Sequence, residues 1–204
     1  MVRVKICGLT RRQDIIDAVK AGADALGFVF SDRSKRVIGA GEAEKLVREV
    51  PAFVSRVGLF MDQEAAIIRD VLERVPLSLL QFHGREAPDF CRQFGLPYVK
   101  ALSIGDERVL NRAERDYADA AGLLLDSHAP GGPGGTGEVF DWSEIPDIRL
   151  PLVLAGGLTP ENVGQAVRRV KPWAVDVSSG VEEAPGLKSA AKMQAFISEA
   201  KREY

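Results

Sequence analysis

Only two cysteines occur in the 204 residues, Cys7 and Cys91, far apart and outside any CxxC spacing, so neither a disulfide framework nor a zinc cluster is indicated. No stretch approaches the roughly 18 consecutive apolar residues of a membrane span. The amino-terminal MVRVKICGLT has no secretory apolar core, so a cytoplasmic protein without membrane contact is expected. Positive charge is not in excess: 27 basic against 29 acidic side chains leave a net charge of -2, which offers no overall field for nucleic acid. Low-complexity tracts, linkers and shifts in composition are missing as well. With 46% apolar and 27% charged residues, the chain reads as one soluble domain, 1–204, able to bury a sizeable core.

What is present is a rhythm. Short β-branched or leucine-rich runs alternate with longer amphipathic stretches, beginning VRVKIC, RRQDIIDAVKAG, DALGFVF. Further strand-like runs fall at 53–60, 77–82, 97–102, 122–126, 151–155 and 174–178, which makes eight. Helical patterns occupy 10–21, 41–50, 63–74, 161–170 and 188–201, with a shorter candidate at 86–94 and weaker signals after strands five and six. Thr10 with Gln13, and Thr159 followed by Pro160, read as helix starts. Eight units of about 25 residues favour a single-domain (β/α)8 TIM barrel with economical loops. A doubly wound open sheet shares the alternation and is the structural rival.

Period-two alternation turns Val2, Val4 and Ile6 to one side of the first strand, and Arg3, Lys5 and Cys7 into the barrel. It likewise pairs Gln81 with His83, Leu124 with Asp126, and Asp176 with Ser178, each pair finishing at a strand's carboxyl end, where such barrels carry their chemistry. One rim therefore collects a thiol, an imidazole, two carboxylates and an amide without a metal-ligand motif, a set suited to proton transfer. Taken singly, Cys7 reads equally as a small buried hydrophobe and Asp126 as a turn residue. Cys91, between Phe90 and Phe94 on its helix, reads as packing.

Two glycine turns follow the last two strands: LAGGLTPEN at 154–162 leads into a helix start, and DVSSGVE at 176–182 closes strand eight. Backbone N–H groups in such turns cradle anions, and this placement matches the phosphate site of (β/α)8 enzymes. Loop two, SDRSKRVIG, presents Arg33, Lys35 and Arg36; an arginine fork there suits a carboxylate, and the sequence does not choose which residue. The run GGPGGTG at 131–137 reads as a functional loop.

The motifs KICGLT at 5–10, SKRVI at 34–38, LQFHG at 80–84, LLLDS at 123–127, GGTG at 134–137, LAGGLTPENV at 154–163 and DVSSGVE at 176–182 span the chain in order. Together they resemble the phosphoribosylanthranilate isomerase family of tryptophan biosynthesis. The resemblance implies a (β/α)8 barrel that converts N-(5-phosphoribosyl)anthranilate to 1-(2-carboxyphenylamino)-1-deoxyribulose 5-phosphate by an Amadori rearrangement, with no metal or organic cofactor. It implies Asp126 as the general acid at the furanose ring oxygen, Cys7 as the base at C2, and Arg36 at the anthranilate carboxylate. Gly156, Gly157, Ser179 and Gly180 match the phosphate turns, while Lys5, Gln81, His83 and Asp176 would be supporting groups. Lys5 is a candidate for favouring the Cys7 thiolate. The 131–137 loop resembles a segment that closes over substrate. Lys35 stands where many relatives have proline. Another phosphate-barrel enzyme and a non-catalytic sugar-phosphate sensor stay as alternatives, and a homodimer is left open.

Overall fold

Eight short buried runs become eight parallel strands because each is flanked by a helix that covers its outer side. In the computed structural model, which describes residues 1–103, 107–126, 145 and 148–202, the strands are β1 (Arg3–Cys7), β2 (Ala25–Val29), β3 (Ser55–Phe60), β4 (Leu79–Phe82), β5 (Tyr98–Ser103), β6 (Gly122–Asp126), β7 (Leu152–Ala155) and β8 (Ala174–Val177). They pair in sequence order, and β8 closes on β1, giving the expected (β/α)8 barrel and ruling out the open sheet. The described helices are α1 (Arg12–Ala21), α2 (Ala40–Val47), α3 (Ala65–Arg74), α4 (Pro88–Arg92), α5 (Glu107–Asp116), α6 (Val163–Val170) and α7 (Ala190–Arg202). Ser127 and the 131–137 loop lie outside the described residues.

The period-two reading of β1 holds for Lys5 and Cys7 but not for Arg3, whose side chain is largely exposed at the start of the strand and lies against Asp24 and the Trp173 ring. Val4 and Ile6 join the large apolar layer between barrel and helices, while Cys7 packs in the lumen with Val29 and Leu59. A second lumen cluster, Val99, Ala101, Leu124 and Ala155, fills the interior on the β5 to β7 side. In the outer layer Phe60 and Phe82 are wholly buried, and Phe82 meets Phe90, Phe94 and Tyr98 with centroids 5.8–6.2 Å apart. Burial of a phenylalanine contributes roughly 1.5–3 kcal/mol. Because Phe82 ends β4, this packing also fixes where the next residue, His83, enters the rim.

Several helices begin later than the sequence pattern suggests. Thr10 does not cap α1, whose N-cap position is Arg11; the Thr10 hydroxyl instead donates to the Gly186 carbonyl at 2.8 Å. At α6, residues 159–162 form a turn in which Thr159 N–H donates to Asn162 Oδ1 at 2.8 Å, so the helix starts at Val163. The final helix starts at Ala190, because Lys188, expected in its first turn, instead ends a hairpin, β9 (Glu182–Ala184) with β10 (Leu187–Lys188). A 3-10 turn at Ser179–Val181 joins that hairpin to β8.

Candidate active site

Cys7 ends β1 at the barrel mouth, 5% exposed. Its neighbour on β2 is Gly27, where a Cβ would stand 2.9 Å from the Cys7 sulfur and 3.1 Å from Lys5 Cε; the glycine makes room for both side chains. Two residues below, Lys5 Nζ donates to both oxygens of Asp176 at 3.0 Å, across the register pair that joins β1 to β8. Burial alone would lower the Lys5 pKa, but Asp176 and the Cys7 sulfur outweigh it and carry the ammonium above its usual value. Burial pushes the Cys7 thiol up; Lys5 and Lys188 pull it down and Asp176 adds to the rise, with a net upward shift. Lys5 thus pulls toward the thiolate, and burial pulls more strongly against it.

Asp126 ends β6, between Ser103 of β5 and Ala155 of β7. His83 Nε2 stands 3.5 Å from its Oδ2, and Gln81 Nε2 lies 3.0 Å from His83 Nδ1. With the Gln81 amide donating, Nδ1 is the acceptor and the ring proton sits on Nε2, facing Asp126. The loop carrying His83 is locked from behind. His83 N–H donates to Phe60 O at 2.9 Å, Gly84 N–H donates to Glu86, and buried Lys100 donates to Phe82 O, Gly84 O and Glu86 Oε2 at 3.3, 2.6 and 3.0 Å. Cys7 and Asp126 thus occupy different sectors of one rim, each with its own polar neighbours.

The two glycine turns meet. Gly156 and Gly157 both take the left-handed region, φ 84° and 64°, which favours glycine at each position. Asn162 Nδ2 donates to Gly157 O at 2.9 Å and closes the first turn. In the second, a Cβ on Gly180 would overlap the Leu158 carbonyl oxygen, so only glycine permits this contact. Ser178 Oγ donates to Cys7 O at 3.1 Å, tying the second turn to β1.

Of the loop-two cations, Arg33 turns away to Asp62 at 3.1 Å. Arg36 instead crosses over Gly8, where a Cβ would come 2.6 Å from its Cδ, and grips Glu182 through Nε and Nη2 at 2.8 and 2.6 Å. Lys35 and Arg36 face Ser179 and residues 182–185 across an open cleft of about 280 Å³. Sequence reasoning missed Glu182, Lys188, Glu86 and Lys100. Glu182 sits in the DVSSGVE motif but its partner is 146 residues away, and a lone lysine in β5 gives no sign of the carboxylate in a neighbouring loop. Among the described residues no group of three or more His, Cys, Asp or Glu is placed to hold a metal. No helix there is long and apolar enough to cross a membrane.

A family model described as N-(5'phosphoribosyl)anthranilate (PRA) isomerase matches residues 4–199. An N-(5'-phosphoribosyl)anthranilate isomerase of Thiobacillus denitrificans is 56% identical over 202 residues, 98% of each chain. Among solved structures, monomers generated from the dimeric phosphoribosylanthranilate isomerase of Thermotoga maritima superpose with a TM-score of 0.86 at 42% identity, covering 99% of this chain and 100% of that one. A phosphoribosylanthranilate isomerase in complex with reduced 1-(o-carboxyphenylamino)-1-deoxyribulose 5-phosphate gives 0.84 at 41% identity, with coverage of 99% and 100%.

Proposed function

The chain belongs to the N-(5'-phosphoribosyl)anthranilate isomerase family, an isomerase of tryptophan biosynthesis, and from that premise we propose how its residues divide the reaction. Asp126 is the general acid. It gives its proton to the furanose ring oxygen as the C1–O bond breaks, and the anthranilate nitrogen supplies the electron pair that makes the C1 iminium. The Cys7 thiolate then removes the C2 proton; the C–H electrons form the C1–C2 double bond and neutralise the nitrogen, and the enol-amine tautomerises to the ketone. The observation that carries this reading is the pair of contrasting settings on one rim. Cys7 has the ammonium of Lys5 at hand to hold a thiolate, and Asp126 faces a histidine oriented by Gln81.

Gly156, Gly157, Ser179 and Gly180 hold the substrate phosphate on the joined turns after β7 and β8, and Arg36 takes the anthranilate carboxylate. The crossing of Arg36 over Gly8, next to Cys7, supports that assignment. The whole chain, 1–204, acts as one cytoplasmic catalytic domain. Fluorescence assay of freshly prepared phosphoribosylanthranilate with EDTA present tests the reading. Cys7→Ala and Asp126→Asn should each lose on the order of 10²-fold or more in turnover, and near-normal turnover by either removes that residue from its role.

A homodimer is the assembly we favour. Phe53 is fully exposed, Trp173 58% and Met1 77%, and they precede β3, β8 and β1 at the end of the barrel opposite the active rim. Apolar exposure of this kind marks a contact surface, and the Thermotoga maritima relative is described as dimeric. Sedimentation equilibrium should return twice the chain mass of 22.1 kDa; a monomer at all concentrations overturns it.

A further inference from the structure

Glu182 has no role in the division of labour above, yet it is among the most heavily bonded side chains at the mouth. It is 7% exposed and takes Arg36 Nε and Nη2, Lys188 Nζ at 2.8 Å and Gly186 N–H at 3.2 Å. Lys188, its side chain wholly buried, also donates to Ser178 O at 3.0 Å, so the anchor is continuous with the turn at the end of β8. Arg36 Nη1 carries no partner among the described residues.

We propose that Glu182 is a positioning residue for substrate recognition: it holds Arg36 by one edge of the guanidinium so that the opposite edge is presented to the substrate carboxylate. The inference rests on Arg36 being the carboxylate-binding residue. A free arginine side chain carries rotamer entropy that binding has to remove, and an arginine already held on one edge has lost it beforehand. The planar fork suits this double use, since one edge bonds Glu182 bidentately while the other is left for a second carboxylate. Charge is the reason for the third member. Arg36 and Glu182 alone would be neutral and attract no anion, whereas Lys188 in its protonated form, which burial disfavours and Glu182 supports, leaves the trio with one net positive charge. Burial pushes the Glu182 carboxyl up, but Arg36 and Lys188 outweigh it and hold it below the usual carboxylate range, so it stays charged at neutral pH.

Calorimetric binding of reduced 1-(o-carboxyphenylamino)-1-deoxyribulose 5-phosphate, and of the same compound without the carboxylate, tests this in the wild type, Glu182→Ala, Glu182→Gln and Arg36→Met. Glu182→Ala should weaken the carboxylated ligand about tenfold or more and leave the other within about twofold. Glu182→Gln, which keeps the shape and loses the charge, should fall between, and stands alone if the alanine variant does not fold. Equal weakening of both ligands means a merely structural role and overturns the proposal. Tighter binding of the carboxylated ligand also overturns it, because Glu182 would then compete for Arg36. An unchanged preference for the carboxylate, while Arg36→Met loses it, removes Glu182 alone. If Arg36→Met keeps the preference, the carboxylate assignment itself fails and the proposal goes with it.

Discussion

Two of the three buried lysines stand on barrel strands, each 3.0 Å from a carboxylate, and they have opposite surroundings. Lys100 lies outside the lumen, on β5, with its side chain and that of Glu86 both 3% exposed. Its donors are spent on Glu86 and on two backbone carbonyls of the β4 loop, and Glu86 in turn accepts from Gly84 N and Asp62 N. Lys5 lies inside the lumen, paired with Asp176, and has the Cys7 thiol as an electrostatic neighbour rather than backbone carbonyls as acceptors. The first pair has every partner that a buried charge needs and fixes a loop. The second is completed by a group able to lose a proton. On the proposed division of labour the same ion pair is thus a rivet in one place and a setting for chemistry in the other.

The largest effect expected to sharpen this contrast is on folding. Lys100→Met should destabilise the protein by about 3–5 kcal/mol, because it strands a buried carboxylate, while turnover per folded molecule falls by much less than at Lys5. Urea unfolding with a parallel assay checks both, and Lys100→Met with Glu86→Leu should recover part of the loss. If turnover collapses instead, the contrast is broken. Next comes Lys5→Met, for which turnover per folded molecule should drop on the order of 10²-fold; a loss in stability alone would make the two lysines equivalent. The smallest effect is spectroscopic. With its pKa raised by burial, the Cys7 thiol of the free protein should titrate above the usual range of a free thiol, seen in thiolate absorbance, and kcat/KM should climb with pH below that point. Since Lys5 pulls this pKa down, Lys5→Met should move the titration still higher; a downward move contradicts the pairing.

The fold was legible because all eight strands are short, buried and punctuated by turns, so that composition alone separates them. The pattern gives β6 its observed bounds and every other barrel strand to within two residues. The stretch after strand five was weak for a physical reason: α5 is charge-rich and its described buried positions are Leu110 and Ala113. The hairpin of β9 and β10 went unread because two strands of three and two residues are too short to show a period. In the site, alternation put Cys7 and Asp126 on the rim, where the structure has them. It did not separate Arg36 from Arg33 and Lys35, which differ only in what they meet after folding. Partners such as Asp62 for Arg33 and Glu182 for Arg36 come from other loops, and no local pattern announces them.

The ladder between β1 and β8 has a consequence for synthesis. Lys5 and Asp176 are 171 residues apart, and Ser178 reaches back to Cys7 over the same span. At roughly 5–20 residues per second, a ribosome delivers the counter-charge of Lys5 on the order of ten seconds after Lys5 itself. Until then Cys7 is an ordinary unfolded thiol beside an unpaired ammonium. A chain stopped before β8 would lack the closing strand, the second glycine turn and the anchor of Arg36 together. The parts that complete the mouth of the barrel therefore become available together, once β8 and the hairpin that follows it have been made.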